Sequence, residues 1–295
     1  MRRTVNRLLR SATGYELRRV PPGREPGRTS ASPESAKQAV SDPTVPAVPT
    51  PPAQPTPARP RQIKFPHDYD EEAKDTIRAV KPRTMTSPEK LNALIYAVRY
   101  VVRHRIPGDI VECGVWRGGS MMTVAKTLLS EGDTQRHLHL YDTYEGMSEP
   151  TEHDVRHDGR PAADMLAATD RDAPIWAYAS LEDVQQAMRE TEFPADLIHY
   201  YKGKVEDTIP KNMPDRISLL RLDTDWYEST RHELEHLWPR LVPGGVLMLD
   251  DYGWWDGARR AVDEWLEESK VPLLLLRADE GRVAVKPPAS WDHGI

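Results

Sequence analysis

Two short acidic stretches hold the densest chemical potential in this sequence. They are Arg221-Leu222-Asp223-Thr224-Asp225 and Leu249-Asp250-Asp251-Tyr252, and each follows an apolar run of strand length. Neighbouring strands in a sheet lie about 4.8 Å apart. If the two runs are adjacent parallel strands, their carboxyl ends bring Asp223, Asp250 and Asp251 together. Clustered carboxylates repel one another and need compensation. A hard divalent cation with oxygen ligands supplies it, and Mg²⁺ is the default choice. The competing reading is that some of these aspartates cap the following helices. Asp225 suits a cap or a supporting role better than Asp223 does.

A second constellation is Val111-Glu112-Cys113-Gly114-Val115-Trp116-Arg117-Gly118-Gly119-Ser120. Glycines let a backbone turn sharply and approach a ligand closely. The spacing is neither the dinucleotide fingerprint nor a phosphate loop with its Gly-Lys-Ser/Thr. Glu112 would repel a pyrophosphate but favour the ammonium of an amino-acid-like ligand. Asp142 ends the next apolar run about 30 residues later, where an acid can accept from a ribose diol. Together these features point to an adenosine-containing ligand. The glycine spacing and Glu112 favour S-adenosylmethionine over NAD(H). An ordinary tight strand–helix turn is the alternative.

These residues need a scaffold, and the hydrophobic pattern supplies one. Ser87-Pro88-Glu89 reads as a helix start, with a capping hydroxyl, proline at the first position and an acid at the positive end. Leu91, Leu94, Ile95, Val98, Val101 and Val102 then recur at helical spacing. Strands are expected at 110–113, 137–142, 197–202, 217–223, 245–250, 273–277 and 282–286. Helices are expected at 119–131, 181–190, 229–240 and 256–269. This alternation predicts an α/β, doubly wound, mostly parallel seven-stranded sheet with helices on both faces, in the Rossmann-like manner. Ligands bind such sheets at the carboxyl ends of the strands, where the acidic and glycine-rich stretches fall.

Composition bounds the rest. The chain of 295 residues carries a net charge of −6, unevenly spread. Residues 1–62 hold 11 Lys/Arg against 4 Asp/Glu, which leaves −13 on the remainder. An acidic domain repels a phosphate backbone, so no nucleic-acid partner is expected. Residues 1–62 read as a disordered, basic and Pro-rich tail and linker, residues 63–288 as one catalytic domain, and 289–295 as a C-terminal tail. No apolar run approaches the roughly 18 to 20 residues of a transmembrane helix, and the Arg-rich start shows no apolar run or small-residue cleavage site, so no secretory signal is expected. The single cysteine, Cys113, excludes a disulfide framework and reads as a small buried apolar residue. A cytoplasmic location is therefore expected.

The stretches 107–120, Tyr141-Asp142-Thr143-Tyr144-Glu145-Gly146, Leu220 to Thr230 and Leu249 to Tyr252 resemble, in order and spacing, the macrocin O-methyltransferase (TylF/MycF-type) family. Ser180-Leu-Glu-Asp-Val and Lys204-Val-Glu-Asp-Thr-Ile-Pro resemble it too. The resemblance covers about residues 80–288. It implies an S-adenosylmethionine- and Mg²⁺-dependent methyltransferase acting on a hydroxyl of a sugar or glycosylated small molecule. It further implies that Glu112, Gly114 and Gly118, with the adjoining Gly119 and Ser120, line the cofactor. Asp142 would hold its ribose, Ser180 would lie near the cofactor or a lid, and Asp223, Asp250 and Asp251 would hold the metal. Relatives are often oligomeric, which admits a homo-oligomer. The sequence has Thr224 and Trp226 where relatives often have Gly and Met.

The implied chemistry needs a base for the acceptor hydroxyl. Asp223 is the first candidate, since it reaches the site from a rigid strand. His157 and His153, in the long segment 143–179, are the alternatives. A segment of that length commonly serves as a lid, and it is expected to close over the acceptor. Trp254, Trp255 and Tyr227 are candidates to stack on a sugar face. Two competing readings keep the fold: an O-methyltransferase for a non-sugar hydroxylated metabolite, and a non-catalytic cofactor-binding module.

Overall fold

The computed structural model describes residues 63–288. The tail at 1–62 and the last residues, 289–295, lie outside the described residues. The first helix among the described residues, α1 (Glu71–Val80), is not anticipated from the sequence. Only Ala73, Ile77 and Val80 form its apolar stripe, among many charges. Asp70 caps it by accepting from the Ala73 N–H at 2.8 Å, and Glu71 and Glu72 favour its positive end. Helix α2 (Pro88–Arg103) starts as expected, with Ser87 accepting from the Lys90 N–H.

The seven strands are β1 (Asp109–Cys113), β2 (Leu138–Asp142), β3 (Ile198–Lys202), β4 (Ile217–Leu222), β5 (Leu241–Leu249), β6 (Leu276–Ala278) and β7 (Gly281–Val285). Their order is β3-β2-β1-β4-β5-β7-β6. The first five run parallel, while β7 is antiparallel to both β5 and β6. The chain moves outward from β1 to β2 and β3, then returns to β4 beside β1. That reversal opens a crevice at the carboxyl ends of β1 and β4.

Helices α3 (Gly119–Ser130), α5 (Leu181–Arg189), α7 (Tyr227–Leu237) and α8 (Asp256–Ser269) fill the main crossovers; α4 (Ala162–Ala167) and α6 (Val205–Thr208) are short. One apolar core joins α1, α2, α3 and α5 to the sheet, and a second joins α7 and α8 to its other face. Strand β6 is shorter than expected. Leu273 and Leu275 pack against the second core, but Leu274 points to solvent, and pairing begins only where the chain meets β7. Strand β5 is longer, because a register shift opposite Ile217 and Leu219 absorbs Pro243 to Gly245. Among the described residues, no helix is long and apolar enough to cross a membrane.

Candidate active site

The carboxyl ends of β1, β2, β4 and β5 surround a cavity of about 400 Å³. Asp223 follows β4, and Asp250 and Asp251 follow β5. Each can present an oxygen within 4.8 Å of the others. The expected convergence of these three carboxylates is therefore present.

Their compensation is partly internal, which the sequence reading missed. Arg221 belongs to the fully buried strand β4, and its side chain is only 3% exposed. Its guanidinium donates to Glu112 Oε1 at 2.6 Å, Asp223 Oδ2 at 2.7 Å, Asp250 Oδ1 at 2.6 Å and Thr86 Oγ1 at 3.1 Å. Lys90 Nζ donates to Asp250 Oδ2 at 2.7 Å and to the Asp250 carbonyl at 3.0 Å. The overlooked signal was a charged residue inside an apolar strand, two positions before Asp223 and hence on the same face.

Five acidic groups (Glu112, Asp223, Asp225, Asp250, Asp251) still face two protein cations. Burial, together with the Asp250 and Asp251 charges, pushes Asp223 well above the usual carboxylate range, although Arg221 opposes it. Asp251 is raised likewise by burial and by Asp225 and Asp250. Burial also acts to raise Asp250, but Arg221 and Lys90 outweigh it and hold that group low. Asp225, pushed up to about 8 by burial, accepts from the Trp255 indole at 2.7 Å. Asp251 Oδ2 is buried and has no hydrogen-bond partner. An orphaned oxygen within an all-oxygen donor set fits a hard cation.

The glycine loop is built differently from its simplest reading. Gly114 has φ +83°, and a Cβ there would stand 2.0 Å from the Asp223 carbonyl oxygen. The missing side chain thus lets the ends of β1 and β4 close together, with Asp223 N–H donating to the Cys113 carbonyl at 2.8 Å. Asp142 Oδ2 accepts from the Val115 and Trp116 N–H groups at 2.6 and 2.9 Å, and Oδ1 from the Tyr144 N–H at 2.7 Å. This carboxylate is committed to holding the loop, so a ribose would have to share it.

Gly114, Ser120 and Asp142 line the cavity, whereas Glu112, Gly118, Gly119 and Ser180 do not. Glu112 is buried behind the loop against Arg221 and pushed up to about 7 by burial. Gly118 precedes α3, and Gly119 packs under Arg83 and Thr84. Ser180 caps α5 by accepting from the Asp183 N–H.

The segment 143–179 carries its own small core rather than standing as a free flap. Ala162 and Leu166 of α4 pack with Trp226, Trp255 and Ala258. Asp154 accepts from the Tyr227 N–H at 2.8 Å, and the Trp226 indole donates to the Ser148 carbonyl at 3.0 Å. The aromatic candidates separate. Trp255 is buried, the Tyr227 hydroxyl donates to Glu264 at 2.6 Å, and Trp254, 37% exposed, lines the cavity. The structure does not bring His157 or His153 to the aspartates. His157 stands edge-on to Trp254 at 5.0 Å, and His153 packs on Tyr227 at 4.8 Å; neither lines the cavity.

Comparison with known proteins gives this geometry a context. The family described as Macrocin-O-methyltransferase (TylF) matches residues 52–286. The chain is 36% identical over 187 residues to the 8-demethyl-8-(2,3-dimethoxy-alpha-L-rhamnosyl)-tetracenomycin-C 4'-O-methyltransferase of Streptomyces olivaceus, spanning 62% of this chain and 67% of that protein. It is 32% identical over 196 residues to the mycinamicin III 3''-O-methyltransferase of Micromonospora griseorubida, spanning 66% and 75%. The solved structure of the O-methyltransferase NovP superposes with a TM-score of 0.61 at 28% identity, covering 70% of this chain and 82% of that one.

Proposed function

The chain belongs to the macrocin O-methyltransferase family and is an O-methyltransferase; from that premise we propose that it methylates a hydroxyl of a sugar or glycosylated small molecule, using S-adenosylmethionine and a divalent ion, Mg²⁺. The convergence of Asp223, Asp250 and Asp251 around a buried, unpartnered oxygen carries the metal reading. The relatives' names supply the acceptor class: one names a rhamnosyl tetracenomycin and the other mycinamicin III. Cytoplasmic action belongs to the same proposal.

S-adenosylmethionine would supply an electrophilic methyl group, and an ion held by the three aspartates would favour the acceptor oxygen in its deprotonated form. The chain's own residues do the remaining work. Gly114, Ser120 and the loop anchored by Asp142 would seat the donor. Asp223, whose Oδ2 also accepts from Arg221, is the candidate to take the acceptor's proton. Trp254 offers an aromatic surface for a sugar, and the packed segment 143–179 limits the entry of water.

Donor binding and turnover separate the parts of this proposal. Asp250→Asn should cut methyl transfer to a glycoside by about a hundredfold or more. Affinity for S-adenosylhomocysteine should stay within about threefold. An unchanged rate in this variant, or full turnover in chelator, would remove the ion from the mechanism.

A further inference from the structure

Lys90 stands where helix electrostatics disfavour it. It is the third residue of α2, beside the N–H groups that make a helix start positive and attract acids such as Glu89. Its ammonium is nevertheless held at the cavity, 12% exposed, with both of its bonds going to Asp250. The other Asp250 oxygen takes Arg221. Both oxygens of this carboxylate are thus engaged by protein cations, while Asp251 beside it keeps a buried oxygen without a partner.

The two cations are not equivalent. The Arg221 guanidinium also bonds Glu112, Asp223 and Thr86, which fixes it in place. Lys90 has one carboxylate partner and a flexible four-carbon stem that can swing. An ammonium 2.7 Å from Asp250 Oδ2 and a hard cation bound at about 2.1 Å to the other lone pair of the same oxygen would stand roughly 4 Å apart, where two like charges in a buried site repel strongly.

We propose that Lys90 is an exchangeable counter-ion of the aspartate cluster: its ammonium occupies Asp250 Oδ2 in the ion-free protein and yields that oxygen when a divalent cation enters. The inference rests on the metal reading above. Two effects follow. Without an ion, Lys90 holds together carboxylates that would otherwise repel, so the site is assembled before the ion arrives. With an ion, displacement of the lysine weakens affinity below that of three free carboxylates.

Calorimetric titration of the full chain with Mn²⁺ as the probe tests this, together with thermal melts with and without Mn²⁺. Lys90→Met and Lys90→Gln should bind Mn²⁺ at least tenfold more tightly than the wild type. Their melting temperatures should rise more on saturation. Equal or weaker Mn²⁺ affinity in a cooperatively melting variant would overturn the proposal. Should Lys90→Met not melt cooperatively without the ion, Lys90→Gln decides, since its amide keeps a donor for the Asp250 carbonyl. A wild type that binds no Mn²⁺ would overturn the metal reading and this proposal together. Wild-type binding that both variants leave unchanged would overturn only the role of the lysine.

Discussion

Replacing Arg221 by methionine should destabilise the domain strongly, and more so as pH rises. The substitution keeps most of the side-chain volume but removes the donors to Glu112, Asp223, Asp250 and Thr86. Glu112 then lies fully buried with neither oxygen partnered, since its Oε2 already has no partner. Breaking a buried ion pair by removing one member costs about 3–5 kcal/mol. Protonation of the stranded carboxylates limits that cost. Glu112 sits at about 7 even beside Arg221, and loss of the cation moves it higher. Its folded value exceeds its ordinary value of 4.5. The folded state therefore holds a proton that the unfolded chain releases, and stability falls as pH rises from about 4.5 to the folded value, a window that ends near 7 in the wild type and extends beyond it in the variant. A domain of this size shifts by about 2–4 °C per kcal/mol. The variant should therefore melt roughly 6–20 °C below wild type, with the larger gap at pH 9 and the smaller at pH 6. Calorimetric or fluorescence melts across that range are the assay. A loss under 2 °C, or one independent of pH, would refute the claim that Arg221 holds the carboxylates.

At the opposite end of the sheet, His199 pairs with His137 at 2.7 Å and stacks on His139 at 4.9 Å. Burial, then the neighbouring His139 and His137, lowers its proton affinity below the ordinary 6.5. The stability it allows is present above that value and is lost as pH falls below it. His199→Gln should flatten the fall in melting temperature between pH 7 and 5, and an unaltered slope would contradict this. Trp254→Ala should raise the acceptor KM by about 2–12-fold, the equivalent of about 0.5–1.5 kcal/mol of aromatic contact. Affinity for S-adenosylhomocysteine should not change. A loss confined to kcat would place Trp254 outside acceptor binding.

The backbone of the site was legible in the sequence because patterns with a fixed period announce it. Apolar runs ending in Asp142, Asp223 and Asp250 marked the strand ends, and Ser87-Pro88 marked the start of α2. What stayed hidden depends on contacts between distant elements. Lys90 meets Asp250 across 160 positions, and Arg221 meets Thr86 across 135. No spacing rule reports such a meeting. The need for charge compensation was visible in the aspartates, but its division between protein cations and a metal was not. Asp142 shows the same limit. Its acidity suggested a ligand, whereas its hydrogen bonds show that the loop claims it first. The segment 143–179 looked like a lid by length alone; its anchors, Trp226 on Ser148 and Asp154 on α7, appear only once the chain is folded.

The most direct test is a crystal grown with Mg²⁺ and S-adenosylhomocysteine. The prediction is one ion bound by oxygens of Asp223, Asp250 and Asp251 at about 2.0–2.1 Å, with the sulfur of the donor product beside it. Electron density showing Asp223 and Asp250 still held by Arg221 and Lys90, with no ion among the three carboxylates at saturating Mg²⁺, would contradict it.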